Sequence, residues 1–262
     1  MKSIGVTFWA ESLKVRKSKV FWLSLVFFVF ISFMMGLIMM IQIHPQITEK
    51  LGLIGTKASM MRFGEPGWKN YFTLLLQGMG AIGLIGFGFA TSWVFGREYS
   101  ENTLKDLLAL PVSRSSIVIS KLLVMALWSI LLAVIFISFS VFFGYMAGIP
   151  DWSGEVFSEF LVKSALVTVL TILLCTTTSF FASVSGGVLL PIGIIILTML
   201  MANFSGLVGL GPYFPWAIPG LICSAPGSEG FQTGIVSYII LFVTSIAGLA
   251  GTLAWWRFAD QK

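Results

Sequence analysis

Few residues in this chain are of types that do chemistry, and their spacing says more than their number. His44 is the one histidine, and it stands at the end of an apolar run, where a lone imidazole reads as structural rather than catalytic. Of the two cysteines, Cys175 falls inside an apolar run and Cys223 in a connecting segment. Neither a disulfide between them nor a metal-ligand cluster is expected. Gln42, Gln77 and Asn203 are the other polar residues nearest to apolar runs, each alone or close to a run's end. There is no GxxxxGK(S/T) loop to cradle a nucleotide's phosphates. Proton- and ion-coupled carriers keep Asp, Glu, His or Arg within the bilayer as relays. With none deep in an apolar run, the pattern argues against a secondary carrier, an intramembrane protease and a metal enzyme.

Two groups of residues remain. In the first, residues 96–121, Leu104, Leu107, Leu108 and Leu110 recur at near-helical spacing while Arg97, Glu98, Glu101, Lys105 and Asp106 fill the other positions. That is the pattern of a short amphipathic helix. Pro111 stops it, since proline lacks the N–H and disfavours helix at the residue before it. Ser113 or Ser115 can cap the helix that follows. The stretch reads either as an interfacial linker or as a docking element for a soluble partner. In the second group Thr168, Thr171, Cys175 and Thr178 or Ser179 fall three or four apart and share one helical face. Hydroxyls on such helices bond their own backbone or a neighbouring helix; the alternative is the lining of a substrate path.

The elements that carry these groups follow from composition. The chain has 262 residues, 57% of them hydrophobic and 10% charged, against roughly 25% charged in a soluble domain. A span needs about 20 apolar residues. Six runs qualify, at 20–43, 72–95, 117–146, 160–182, 188–208 and 235–256, and backbone in lipid must bond internally, so they read as helices. The expected fold is all-α, a polytopic membrane protein with a single transmembrane domain over 1–262. The first run is too long for a signal-peptide core and is read as retained. Lys2, Lys14, Arg16, Lys17 and Lys19, then Arg97, Lys105, Arg114 and Lys121, then Arg257 and Lys262 fall on one side; Lys50, Lys57, Arg62, Lys69 and Lys163 fall on the other. The positive-inside rule places both termini in the cytoplasm. Trp22, Trp93, Trp255 and Trp256 near one set of ends, and Trp68, Tyr71, Trp152, Tyr213 and Trp216 near the other, suit the membrane boundary. Trp128 lies deeper, as a packing residue.

Three connecting features complete the layout. Along residues 1–19, Ile4, Phe8, Trp9 and Leu13 line one face and Glu11, Lys14, Arg16 and Lys17 face water, as in a helix lying in the interface; a plain basic flank is the other reading. The glycines of the second run, with Gly86 and Ala90 as a small-xxx-small pair, predict close helix packing, within one subunit or between two. Residues 205–233 contain Pro212, Pro215, Pro219 and Pro226, with Tyr213 and Trp216, and no Lys or Arg. They predict a re-entrant or interfacial outer element between spans five and six, backed by protein where its backbone is irregular.

The stretch Glu98…Thr103-Leu104…Leu107-Leu108…Pro111-Val-Ser-Arg114…Lys121 resembles the signature of permease subunits of type-2 ABC exporters, with Asn102 in place of the usual glycine. The six-span layout and Tyr213-Phe-Pro-Trp-Ala-Ile-Pro219 are similar to the bacitracin-resistance and lantibiotic-immunity permeases of that class. The resemblance implies a multi-pass bacterial plasma-membrane subunit, not itself an enzyme. Two such chains, identical or homologous, would sit on two copies of an ABC ATPase that holds ATP and Mg, with no cofactor in this chain. Besides those subunits, membrane lipid is the expected partner, and nucleic acid is not. The helix between spans two and three would couple to the ATPase through Arg97, Glu98, Glu101, Leu104, Lys105, Leu107, Leu108, Pro111 and Arg114. Lipids, hydrophobic peptides or peptide antibiotics would be exported, with Thr168, Thr171, Cys175, Thr178 and Ser179 as candidates for the path and Pro212, Tyr213, Pro215, Trp216 and Pro219 shaping the outer segment. The residues also leave open a carrier or channel, and a non-transporting scaffold or sensor for a soluble partner.

Overall fold

The computed structural model describes residues 2–44, 66–101, 103, 111–223 and 233–258. Connections 45–65 and 224–232, which include most of the first outer loop and Pro226, and residues 104–110 lie outside the described residues. The described chain is helical throughout: α1 (Lys2–Lys17), α2 (Lys19–Ile43), α3 (Trp68–Ser100), α4 (Arg114–Met146), α5 (Gly154–Ser185), α6 (Leu189–Leu207), two 3-10 turns (Gly211–Tyr213 and Pro215–Ala217), α7 (Ile218–Ile222) and α8 (Ile235–Phe258). Six of these, α2 to α6 and α8, are long and apolar enough to cross a membrane, and each coincides with one of the runs read from the sequence.

The ends of the helices are set by capping. Ser18 separates α1 from α2: its hydroxyl accepts from the Phe21 N–H at 3.1 Å and its own N–H donates to the Val15 carbonyl. Satisfying the free donors at the start of α2 in this way lets a surface helix turn into a span across one residue. Ser113 does the same for α4, accepting from the Ser116 N–H at 3.2 Å. Gly186, at φ +61, closes α5 in the left-handed conformation that a side chain disfavours, and α6 returns antiparallel after it.

α3 and α4 have 33 residues each and α5 has 32. At about 1.5 Å per residue each is roughly 50 Å long, some 20 Å more than the hydrocarbon. The surplus carries their ends beyond the apolar layer. α3 is central, packing on α4, α5 and α6 and touching α2. Its glycines make this possible: a Cβ on Gly86 would lie 2.5 Å from the Phe28 ring, and one on Gly88 would lie 2.4 Å from Ile195. The small residues of this run are thus filled by α2 and α6 of the same chain. Trp128 is buried against Phe21 and Trp93, and its N–H donates to Ser24 Oγ. At the opposite end of the bundle from α1, the rings of Trp68, Phe72, Trp152, Phe157 and Phe160 pack together.

Two details of the sequence reading change. Glu11 does not face water; it is 5% exposed, because the face of α1 that carries Thr7, Glu11 and Val15 packs on α4, while Val6 and Trp9 point outward. Trp256 stands in the last turn of α8, at the helix end where it was expected, but it is buried there, as Trp68 and Tyr71 are near the other end, and its indole N–H donates to Ser183 Oγ at 2.9 Å instead of to water.

Candidate functional site

The last two turns of α3 are where the bundle's polar chemistry collects. Glu98 lies there at 3% exposure, and Lys121, in the second turn of α4, is fully buried beside it. Nζ of Lys121 donates to Glu98 at 2.7 Å, to Glu11 Oε2 at 2.9 Å and to the Val94 carbonyl at 3.0 Å. An ammonium has three hydrogens, and all three are used. Lys14 closes the group, donating to Glu11 Oε1 at 2.7 Å and to Glu98 Oε1 at 3.1 Å. Two cations and two carboxylates from three helices therefore neutralise one another in a closed ring. Just beside it, Thr7 and Ser120 share a hydrogen bond of 2.6 Å between α1 and α4.

Burial governs the energetics of this cluster. Removing one partner from a buried ion pair costs about 3–5 kcal/mol, because it strands the other charge out of water. Burial is the largest single influence on Glu11 and by itself would raise its pKa; the charges of Lys121 and Lys14, with their hydrogen bonds, overcome it and hold the carboxyl below its ordinary value. Burial likewise works to lower Lys14, and Glu11 and Glu98 outweigh it, so its pKa is raised. Both shifts favour the charged forms of Glu11 and Lys14 at neutral pH.

Other contacts fasten the same region. A Cβ on Gly96 would meet the Gly187 carbonyl oxygen at 2.6 Å, so only glycine lets α3 lie this close to the α5–α6 turn. Tyr99 packs edge-on to Trp256, and Arg114 Nη1 donates to the Trp256 carbonyl at 3.2 Å, in the last turn of α8. A cation on those unpaired carbonyls is favourable both as a hydrogen bond and against the helix dipole. Arg97 stacks on Trp93 and forms a forked pair with Glu101, both nitrogen–oxygen distances being 2.9 Å, on the helix surface.

The residues that the sequence grouped as one docking element therefore divide by placement. Glu98 turns inward to the ion cluster; Arg114, exposed for much of its length, caps α8, and Arg97, Glu101 and Pro111 are likewise at least partly exposed. Leu104, Lys105, Leu107 and Leu108 lie outside the described residues. Of the cluster's four residues, the sequence reading named Glu98 as a site residue and Lys121 as part of the signature, and missed Glu11 and Lys14, which it turned to water; Glu11 is the buried one. Its signal was available: it is the one acidic residue among residues 1–19, three positions before Lys14.

The hydroxyl stripe of α5 is buried between helices. Thr168 and Thr171 donate to the carbonyls four residues back, Ser179 pairs with Thr252 of α8 at 2.9 Å, and Cys175 and Thr178 are buried alongside them. A cavity of about 290 Å³ lies elsewhere, towards the end away from α1, between α3, α6 and the short elements after α6; Gln77, Gly80, Asn203, Gly206, Trp216 and Gly220 are among its walls. Of the proline-rich residues, Pro215 and Pro219 are buried against the bundle, Pro212 and Trp216 half-buried, and Tyr213 is 62% exposed.

Comparison with known proteins decides what such a bundle is. Residues 7–203 match the family described as ABC-2 family transporter protein. The chain belongs to the ABC-2 family. The match runs from Thr7 to Asn203, so all four residues of the ion cluster lie inside the ABC-2 region, while the proline-rich turns and α8 follow it. This ABC-2 permease is also 29% identical, over 197 residues, to the bacitracin transport permease protein BCRB of Bacillus licheniformis, covering 73% of this chain and 89% of that one. No solved structure matches it.

Proposed function

We propose that this chain is the membrane-spanning half of an ATP-driven exporter whose energy comes from a separate ABC ATPase. The observation that carries the reading is the junction itself. The helices on either side of the charged sequence 101–113, α3 and α4, are bonded to each other through Glu98 and Lys121. A partner bound there would act on two helices already tied together. The basic residues concentrated at this end put it in the cytoplasm by the positive-inside rule, with both termini. α1 then lies along the membrane surface, with Val6 and Trp9 towards lipid headgroups.

Two permease chains and two ATPase copies, with ATP and Mg held by the latter, form the working unit. α6 is the least buried of the six spans, which supports a second chain beside it. The substrate is hydrophobic or amphipathic: the relative's name points to a peptide antibiotic, and the cavity beneath the proline-rich turns is of a size for a side chain or part of an acyl tail. The ion cluster sits at the helix ends with its ammonium and carboxylate groups bonded to one another, an arrangement that favours a structural tie over a proton relay.

Replacing Leu107 and Leu108 together by aspartate tests the reading. The variant should insert normally but lose the ATPase on purification in mild detergent. Undiminished co-purification would remove the docking claim, and transport by the chain alone in liposomes without ATP would favour a carrier instead.

A further inference from the structure

We infer that Lys121 is a positioning residue that makes α1, the end of α3 and the start of α4 travel as one body. The inference rests on the reading of segment 101–113 as an ATPase-facing lever, and goes beyond it by assigning what the lever moves.

Lys121 has no spare hydrogen: one goes to α1 through Glu11, and two go to α3 through Glu98 and the Val94 carbonyl. Sliding any of the three helices past the others by a turn would leave a buried charge facing hydrocarbon. Apolar contacts between helices carry no such penalty, since one alkyl surface replaces another as they slip. The interfaces sharing Lys121 are therefore the least separable at this end of the molecule. α1 is tied in twice more, by Lys14 to Glu98 and by Thr7 to Ser120. It passes into α2 through the single residue Ser18. A displacement of the α3 and α4 roots is thereby handed to α1 and on to the first span, which would otherwise receive it only through packing. Lys121 touches neither nucleotide nor substrate; it acts by holding other groups together.

The test uses the full chain with its ATPase in proteoliposomes, in a Cys175→Ala, Cys223→Ala background. The reporter is the maleimide labelling rate of Asn203→Cys in the cavity, with and without ATP. Thr7→Cys and Ser120→Cys replace hydroxyls that touch at 2.6 Å, so the two thiols meet where a disulfide can be formed with mild oxidant. With that disulfide formed, the ATP-dependent change in labelling should persist within about twofold, because the bond joins parts that already move together. Lys121→Met should cut the change at least tenfold while the ATPase still co-purifies, and the 7–120 disulfide added to Lys121→Met should restore part of it. Loss of the ATP response on cross-linking the otherwise unaltered protein overturns the inference, as does an unchanged response in Lys121→Met. A parent protein with no ATP response at all would instead bring down the lever reading, and this inference with it.

Discussion

At the scale of single residues, Glu11 makes the sharpest claim. A carboxyl whose pKa is held below its ordinary value contributes stability that is fully present above the unfolded pKa and is lost as pH falls through the folded one. Wild type should therefore be more stable than Glu11→Gln at neutral pH, by about 1.5–3 kcal/mol, the worth of a charged hydrogen bond, because Lys121 and Lys14 then share the one carboxylate of Glu98. The gap should close as pH is lowered beneath the usual carboxylate range. Lys14 works in the opposite sense: its raised pKa gives a contribution complete below its ordinary value and lost only as pH rises past the folded one. Thermal unfolding in detergent across pH, for both proteins, measures this; a gap that stays constant into acid would show that Glu11 is not ionised in the native state. Conversion of Glu11 and Lys121 together to Gln and Met should cost less than the two single changes added, because neither then strands the other.

At the scale of elements, helix contacts are set by what glycine leaves out. Gly96→Ala forces a methyl against a backbone oxygen that cannot rotate aside. A loss of about 1–3 kcal/mol is expected, the usual cost of overpacking. Gly5→Ala, where nothing lies within 4 Å, should be neutral or slightly stabilising through helix propensity. Melting temperatures of the two variants, compared in one detergent, check this pairing. The hydroxyls of α5 belong to the same scale. Thr176 reaches the Ser245 carbonyl and Ser179 reaches Thr252, so the stripe works as polar adhesive between α5 and α8. Such bonds give about 0.6 kcal/mol each in membranes, and Thr252→Val should be correspondingly mild.

At the scale of the whole molecule, helices of 33 and 32 residues carry polar ends out of the apolar layer, and one end gathers α1, the roots of segment 101–113, the α5–α6 turn and the end of α8. A cysteine introduced for Ser115, an exposed residue at the start of α4, should react with a membrane-impermeant maleimide only after cells are opened. Labelling in intact cells would invert the orientation argued from the basic residues.

The six spans and a serine cap just after Pro111 were legible in the primary structure because they are local: a run of about 20 apolar residues has one low-energy state in lipid, and a cap acts within one turn; of the two serines offered, Ser113 is the cap. The polar residues flanking Pro111 were likewise visible as a charged block, but their division into Glu98 turned inward, Arg114 reaching across the surface to cap α8, and Arg97 and Glu101 paired with each other was not. Glu11 read as solvent-facing because the helical wheel of α1 reports its own faces and not which neighbour covers them. Its partner Lys121 is 110 residues away along the chain. Hydrophobic transfer acts on each segment separately and is written in composition. Neutralising a buried charge needs its opposite within a few ångströms, and only the packing of α1, α3 and α4 determines which residues supply it.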